Sequence, residues 1–407
     1  MAVIYNFAIL VFGHAARIAA LFNHKAKLFI NGRKGIWKQL EAIPKQNIVW
    51  FHAASLGEFE QGKPVIEALK KARPEIHLVV TFFSPSGYEQ RKNYAGAHVF
   101  YLPLDTPANA KRFVKMLNPR LAVFIRYEFW ANYLDALHNA NVPTAVMSAQ
   151  FRANQFAFGP FGGYIRTRIL RLRAILVQYE SAKTVLLAHG ANAEKISVCG
   201  DSRFDRTIQT VHAAQTIDEI ERFKNGAPMV VLGSCYTPEI AFVKPLFAQF
   251  PHWKFIFAPH HVDENNVQNL LAQLPEKAVR FSRFAEFTSE RILVLDTIGK
   301  LAAAYRYGEI AIVGGGFTTG IHNIIEPAAF GLPLFYGPRH EKFPEGQAFI
   351  NAGLATEIDT TGLAEKRLAT LLTDAQLRSE VSEKTALFVQ QHAGATECIT
   401  NKLNSLF

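Results

Sequence analysis

The chain has 407 residues, 49% of them hydrophobic and 19% charged, with a net charge of +10. That balance fills ordinary cores, leaves room for two domains and excludes a disordered chain. The positive charge favours an anionic partner: nucleic acid, a phospholipid surface or an anionic substrate. No arginine–glycine tract or zinc-finger spacing supports nucleic acid, so none is expected.

Residues 2–22, AVIYNFAILVFGHAARIAALF, form the first element. At 1.5 Å per residue this helix just reaches across a hydrocarbon core. Arg17 and His14 interrupt it, and a central arginine is costly there. An uncleaved anchor or an interfacial helix is expected, with a helix packed on the protein itself as the alternative. Lys25, Lys27, Arg33, Lys34 and Lys38 follow, which keeps the next domain cytoplasmic.

From Asn47 strand-like and helix-like segments alternate. Apolar runs cover Ile48 to Phe51, His77 to Phe82, Val99 to Leu102, Leu121 to Ile125, Thr144 to Met147, Ala174 to Val177 and Ile196 to Val198. A polar stretch, Asp205 to Ala227, ends this series. A second series runs through Met229 to Leu232, Lys254 to Ala258, Arg291 to Leu295, Ile310 to Val313 and Leu332 to Phe335. Alternation of this kind predicts α/β architecture with two doubly wound parallel sheets. The boundaries drawn are 1–24 for the apolar helix, 25–210 for a first Rossmann-like domain and 211–407 for a second. The three cysteines, Cys199, Cys235 and Cys398, are far apart and make neither a CxxC pair nor a metal-ligand spacing. A reducing compartment and no metal site are expected.

Ligands in such sheets bind beyond the carboxyl ends of strands, so the polar residues there matter most. They include His52 to Glu58, Arg126 to Glu128 and Gly200 to Asp205 in the first series. In the second they include Pro259-His260-His261, Asp296 to Lys300 and the loop after Val313. That loop carries Gly314, Gly315 and Gly316, then Asn323, Ile324, Ile325, Glu326 and Pro327. Glycines there let the backbone approach a ligand. The Asn-x-x-Glu spacing has two readings. It is a helix cap, or a phosphate and ribose site at a helix start. Three consecutive glycines are not a dinucleotide fingerprint.

Taken together, ASLGEF at 53 onward, EFWAN at 128–132, GDSRFD at 200–205, GS at 233–234, APHH at 258–261, DTIGKL at 296–301 and HNIIEPAAFGLPLFYGP at 322–338 resemble the 3-deoxy-D-manno-octulosonic acid (Kdo) transferases. The resemblance runs over nearly the whole chain. It implies a GT-B fold and inverting transfer of Kdo from CMP-Kdo to a lipid A precursor at the inner membrane, with its phospholipid surface as a partner and no separate cofactor. It implies Glu58 as general base and Glu128 and Arg203 as charge-stabilising residues. Pro259, His260, Ile298, Gly299, Lys300, Asn323, Ile324, Ile325 and Glu326 fall on the family's CMP-binding segments. The chain departs from the family pattern in four places. Arg126 to Asn132 reads RYEFWAN where ETELWPN is usual, Arg203 replaces a lysine, His260 an arginine, and Lys300 a glutamate.

Inverting transfer needs a base for the attacking hydroxyl and positive charge for the leaving phosphate. Glu58 could instead be a carboxylate settled at a helix start. Arg203 could instead pair with Asp201 or Asp205. Trp130 reads as core rather than a sugar platform. Other GT-B enzymes using UDP-sugars, transferases or epimerases, and a nucleotide-binding membrane regulator are the competing readings.

Overall fold

The computed structural model describes residues 1–407, the side chain of His212 excepted. It divides into two compact units, Met1–Arg206 with Ala393–Phe407, and Thr207–His392.

The first unit is built on seven strands: β1 (Ile48–Ala53), β2 (His77–Phe82), β3 (His98–Tyr101), β4 (Leu121–Ile125), β5 (Thr144–Ala149), β6 (Ala174–Val177) and β7 (Ile196–Val198). All neighbours pair in parallel, in the order β3-β2-β1-β4-β5-β6-β7. A parallel sheet is covered on both faces, so its strands read as continuous apolar runs. In β1 the period of two sends Ile48 and Trp50 into one core, with Phe113, Phe124 and Tyr133. It sends Val49, Phe51 and Ala53 into the other, with Phe59 and Phe82.

That second core also takes Ile399 and Leu403 of the final helix, Ala395–Asn404. Asp205 accepts from the backbone N–H groups of Gly394 and Thr396, at 2.6 and 2.7 Å, and fixes where that helix begins. Arg73 donates to Asn404 Oδ1 at 2.9 Å. The boundary drawn from sequence ran the second domain through 407. The apolar face of this helix is instead buried on the first unit. A cysteine on the same helix shows a second departure. Cys199, just after β7, and Cys398 form a disulfide, and among the described residues only Cys235 is a free cysteine. The chain returns across 199 positions to make that pair, a proximity that linear spacing does not display.

The second unit has β8 (Met229–Cys235), β9 (Lys254–Pro259), β10 (Ala278–Arg280), β11 (Ile292–Val294), β12 (Ile310–Val313), β13 (Leu334–Tyr336) and β14 (Ala355–Glu357). Their order is β10-β11-β9-β8-β12-β13-β14, again all parallel. The polar stretch between the two series is not an open linker. It folds as two helices, Ser202–Ala213 and Asp218–Lys224.

The first apolar segment is the helix Ala2–Ala19, long and apolar enough by composition to cross a membrane. Its seam with the first unit is polar at one end and apolar further on, where Phe12 packs on Phe29 and Phe83. Tyr5 Oη donates to Asp105 Oδ2 at 2.6 Å and Asn132 Nδ2 donates to Asn6 Oδ1 at 2.8 Å. Gly13 is its one buried residue, because a Cβ there would come within 2.8 Å of Leu104. Val3, Ile4, Phe7, Leu10, Val11, Ile18, Leu21 and Phe22 are exposed.

Candidate active site

In the first unit β1 lies between β2 and β4, so the strand order reverses at the β1/β4 crevice. In the second β8 lies between β9 and β12, and the reversal falls at β8/β12. Such crevices, at the carboxyl ends of the strands, are where open α/β sheets bind ligands.

Backbone strain marks the same places. Non-glycine residues with positive φ are Asn47, Asn118, Asn141 and Asn225, an ordinary turn residue, and Arg126, Ser148 and Ser234. These last three sit at the ends of β4, β5 and β8. At Ser148 and Ser234 the pairing register of the sheet also shifts. Conformations of this kind cost energy and gather at functional sites.

In the first crevice the chain leaves β1 through Ala54 and Ser55 and enters the helix Leu56–Ala72, with Glu58 in its first turn. Glu58 Oε2 accepts from the backbone N–H of Ala54, so the carboxylate does settle at the helix start. It is also lifted to about 7: burial is the larger cause and the charge of Glu128 adds to it, against the Ala54 N–H and Arg126. A carboxylate poised near neutrality is what a general base requires. The helix-start reading and the catalytic reading therefore describe one side chain.

Glu128 is held from the other side. Trp130 Nε1 donates to Glu128 Oε2 at 2.7 Å and lies 3.1 Å from His52 Nε2. His52 is fully buried near the carboxyl end of β1, and its Nδ1 is 2.8 Å from Thr81 Oγ1, which also accepts from Trp50 Nε1. Trp130 is thus neither plain core nor a bare sugar platform. Its ring packs on Phe83, 4.5 Å between centroids, while its N–H orients a carboxylate. Arg126 Nε is buried without a hydrogen-bond partner among the described residues. Sequence reading placed Arg126 among the polar residues beyond the strands, two before Glu128, but gave it no role.

Arg203 lies in the first turn of the helix Ser202–Ala213. Its Nε and Nη2 meet Asp201 Oδ2 at 2.8 and 2.6 Å, and Asp201 is buried, also accepting from Gln61 at 3.0 Å. The ion pair weighed from sequence forms, with Asp201. Asp205 instead caps the last helix.

In the second crevice the three glycines have a structural reason. A Cβ on Gly314 would meet Ser234 O at 2.0 Å, and one on Gly316 would meet Gly337 N at 2.5 Å. Close approach here is of backbone to backbone. Asn323 is exposed, and its Oδ1 accepts from Ile325 N at 3.1 Å, ahead of the short helix Ile325–Ala329. Glu326 lies in the first turn of that helix and is half-buried. Ile324 and Ile325 are buried, while Ile298, Gly299 and Lys300 form an exposed loop.

Pro259 ends β9, and His260 follows in a stack of three rings. His260 lies 4.4 Å from His322 and 5.3 Å from Tyr236, close to parallel with both. Burial lowers the proton affinity of His260 and His322, and the neighbouring histidines, His261 and His260 respectively, lower each further. Near neutrality the stack is an uncharged π platform. It borders a cavity of about 650 Å³ lined by Tyr236, Pro259, His260, His261, Asn266 and Thr318, among others. Tyr236 and His322 were missed in the sequence, where they lie far from each other. No cluster of three metal-ligating side chains occurs among the described residues.

Residues 30–206 match the model of a family described as 3-deoxy-D-manno-octulosonic-acid transferase (kdotransferase). The transferase of that name from Haemophilus influenzae is 26% identical over 388 residues, 91% of this chain and 90% of that protein. The Bordetella pertussis transferase is 28% identical over 392 residues, with the same two coverages. Over about nine tenths of its length the chain is thus similar to Kdo transferases, and the family model matches the first unit. Among solved structures, UDP-GlcNAc 2-epimerase from Neisseria meningitidis bound to UDP-GlcNAc aligns with a TM-score of 0.65 at 14% identity, covering 88% of this chain and all of that one. A putative UDP-N-acetylglucosamine 2-epimerase from Listeria monocytogenes gives 0.62 at 15% identity, over 87% and 94%. At such identities the likeness concerns the fold, which is GT-B. The similarity in sequence is to Kdo transferases, while the epimerases share the architecture.

Proposed function

We propose that this protein moves Kdo from CMP-Kdo, with inversion, to a hydroxyl of a lipid A precursor, and works on the cytoplasmic face of the inner membrane. The observation that carries the reading is the Glu58–Glu128 pair at the β1/β4 crevice, with Glu58 lifted to about 7. Glu58 takes the proton of the acceptor hydroxyl as it attacks the anomeric carbon. Glu128, oriented by Trp130, raises the proton affinity of that base. Arg126 offers an unspent buried Nε toward developing negative charge. Arg203, through Asp201, fixes the loop that precedes its helix.

In the second unit the Tyr236–His260–His322 stack suits a nucleobase. Asn323, Glu326 and the Ile298-Gly299-Lys300 loop supply the ribose and phosphate contacts. The exposed apolar face of Ala2–Ala19 supports the membrane placement. Its polar seam at Tyr5 and Asn6 ties it to the unit, which favours lying in the interface over spanning.

The test is mass analysis of the product formed from a lipid A precursor and a CMP-Kdo generating system. A mass increase of one or more Kdo units is expected. Nucleotide binding without transfer would favour the regulator reading, and transfer from a UDP-sugar would favour another GT-B enzyme.

A further inference from the structure

An apolar cavity of about 320 Å³ lies in the first unit beside the Ala2–Ala19 helix, lined by Ala8, Ile9, Phe12, Phe83, Leu104, Asp105 and Trp130. The one charged group in its wall is already spent. The Asp105 carboxylate accepts from Tyr5 Oη and from the backbone N–H groups of Asn132 and Tyr133, at 2.6, 3.1 and 3.0 Å. The pocket therefore offers its occupant hydrocarbon contact and little else. On one side it is continuous with Ala8 and Phe12 of a helix whose neighbouring Phe7, Leu10 and Val11 are exposed. On another it ends on Trp130, whose N–H is 2.7 Å from Glu128, the carboxylate whose charge Glu58 feels.

We propose that this pocket holds an acyl chain of the lipid acceptor itself. Three observations favour the reacting lipid over bulk phospholipid. The wall is apolar, it opens on the apolar face of the first helix, and its far side is the indole that orients Glu128. A chain seated there is one side chain away from the carboxylate pair, so binding the tail also places the sugar to which it is attached. The hydrocarbon contact is then converted into orientation at the reacting hydroxyl. Trp130 is a positioning residue in this arrangement, touching the chain with its face and Glu128 with its N–H.

The inference rests on the proposed lipid acceptor, and its experiment separates the two. Kdo transfer is measured with an acylated acceptor and with the same acceptor stripped of its acyl chains. Ala8 is exposed on the helix surface, so Ala8→Phe narrows the pocket without disturbing the core. Displacing a few methylenes should lower the preference for the acylated acceptor about tenfold, through KM. Leu104→Phe narrows the pocket from a different segment and should act in the same direction. A second readout needs no turnover. A bromine-labelled long-chain fatty acid should quench tryptophan fluorescence in the native protein, and much less in Ala8→Phe or Trp130→Phe. An unchanged acceptor preference in folded Ala8→Phe overturns the proposal, as does quenching that persists in both variants. Loss of vesicle binding in Ala8→Phe with preference unchanged would assign the pocket to the membrane and also overturn it. If native protein transfers Kdo to neither acceptor while quenching behaves as stated, the pocket stands and the acceptor reading fails.

Discussion

The two crevices share a topology and differ in chemistry. At β1/β4 two carboxylates feel each other's charge, and burial holds one of them near the point of half-protonation. At β8/β12 the strand ends carry glycines and a stack of neutral rings, with both stacked histidines shifted away from charge. A sheet of this kind supplies a place; the residues just beyond each strand decide whether protons are moved there or a flat ring is held. The first crevice is suited to proton transfer and the second to a nucleotide.

The largest expected effect breaks the first crevice alone. Glu58→Gln keeps the shape and cannot accept a proton. Turnover should fall by ~10²–10⁴ in kcat, while CMP binding and circular dichroism stay as in the native enzyme. Near-normal kcat would turn attention to Glu128.

Next in size is the ring stack. His260→Ala removes the ring nearest to both others, and CMP affinity by calorimetry should fall by about 5- to 100-fold, with kcat at saturating donor little changed. Because burial shifts both histidines toward the neutral form, native CMP affinity should be flat above neutral pH. A kcat effect without a binding effect would erase the division between the crevices. Glu326→Ala should weaken CMP binding about tenfold through lost ribose hydrogen bonds. Unaltered binding in a folded variant would leave Asn323 and Glu326 as a helix cap only.

The smallest effects sharpen the electrostatics. With its base titrating at about 7, kcat/KM should rise with pH through that value. Glu128→Gln removes a neighbouring negative charge, so the rise should move to lower pH; burial, the larger cause, remains and limits the move. The same shift has a cost in stability. Between about 4.5 and about 7 the native carboxyl holds a proton that the unfolded chain has released, so stability falls as pH rises through that window. Glu58→Gln escapes this loss. Its melting temperature should exceed the native value at pH 8, by the equivalent of about 1–3 kcal/mol, and match it near pH 4.5. Equal melting at both values would mean that Glu58 is not raised.

Much of this architecture was legible because parallel strands buried on both faces announce themselves as apolar runs. His77–Phe82, Leu121–Ile125, Ala174–Val177 and Ile310–Val313 were read to the residue. The edge strands Ala278–Arg280 and Ala355–Glu357 were not, since three residues with a charge at the end carry no periodicity. Glu58 and Glu128 were legible from their motifs. Their coupling was not, because the two carboxylates are 70 positions apart and interact only in the fold, where Trp130 and His52 hold Glu128. Arg203 pairing with Asp201 was visible as a local alternative. Tyr236 and His322 are 86 positions apart and meet only when the ends of β8 and β12 do.

The return of the last fifteen residues to the first unit bears on how the molecule is made. Both ends of the chain belong to one unit, and the other is an insertion between them. During synthesis the second unit can fold as soon as its own residues have emerged. The first, although it begins earlier, lacks Ile399 and Leu403 of its core until residues beyond the whole second unit have emerged. The unit that carries the carboxylate pair is therefore completed after the second, and a chain cut short before Ala395 presents a whole second unit beside a first whose core is unfinished.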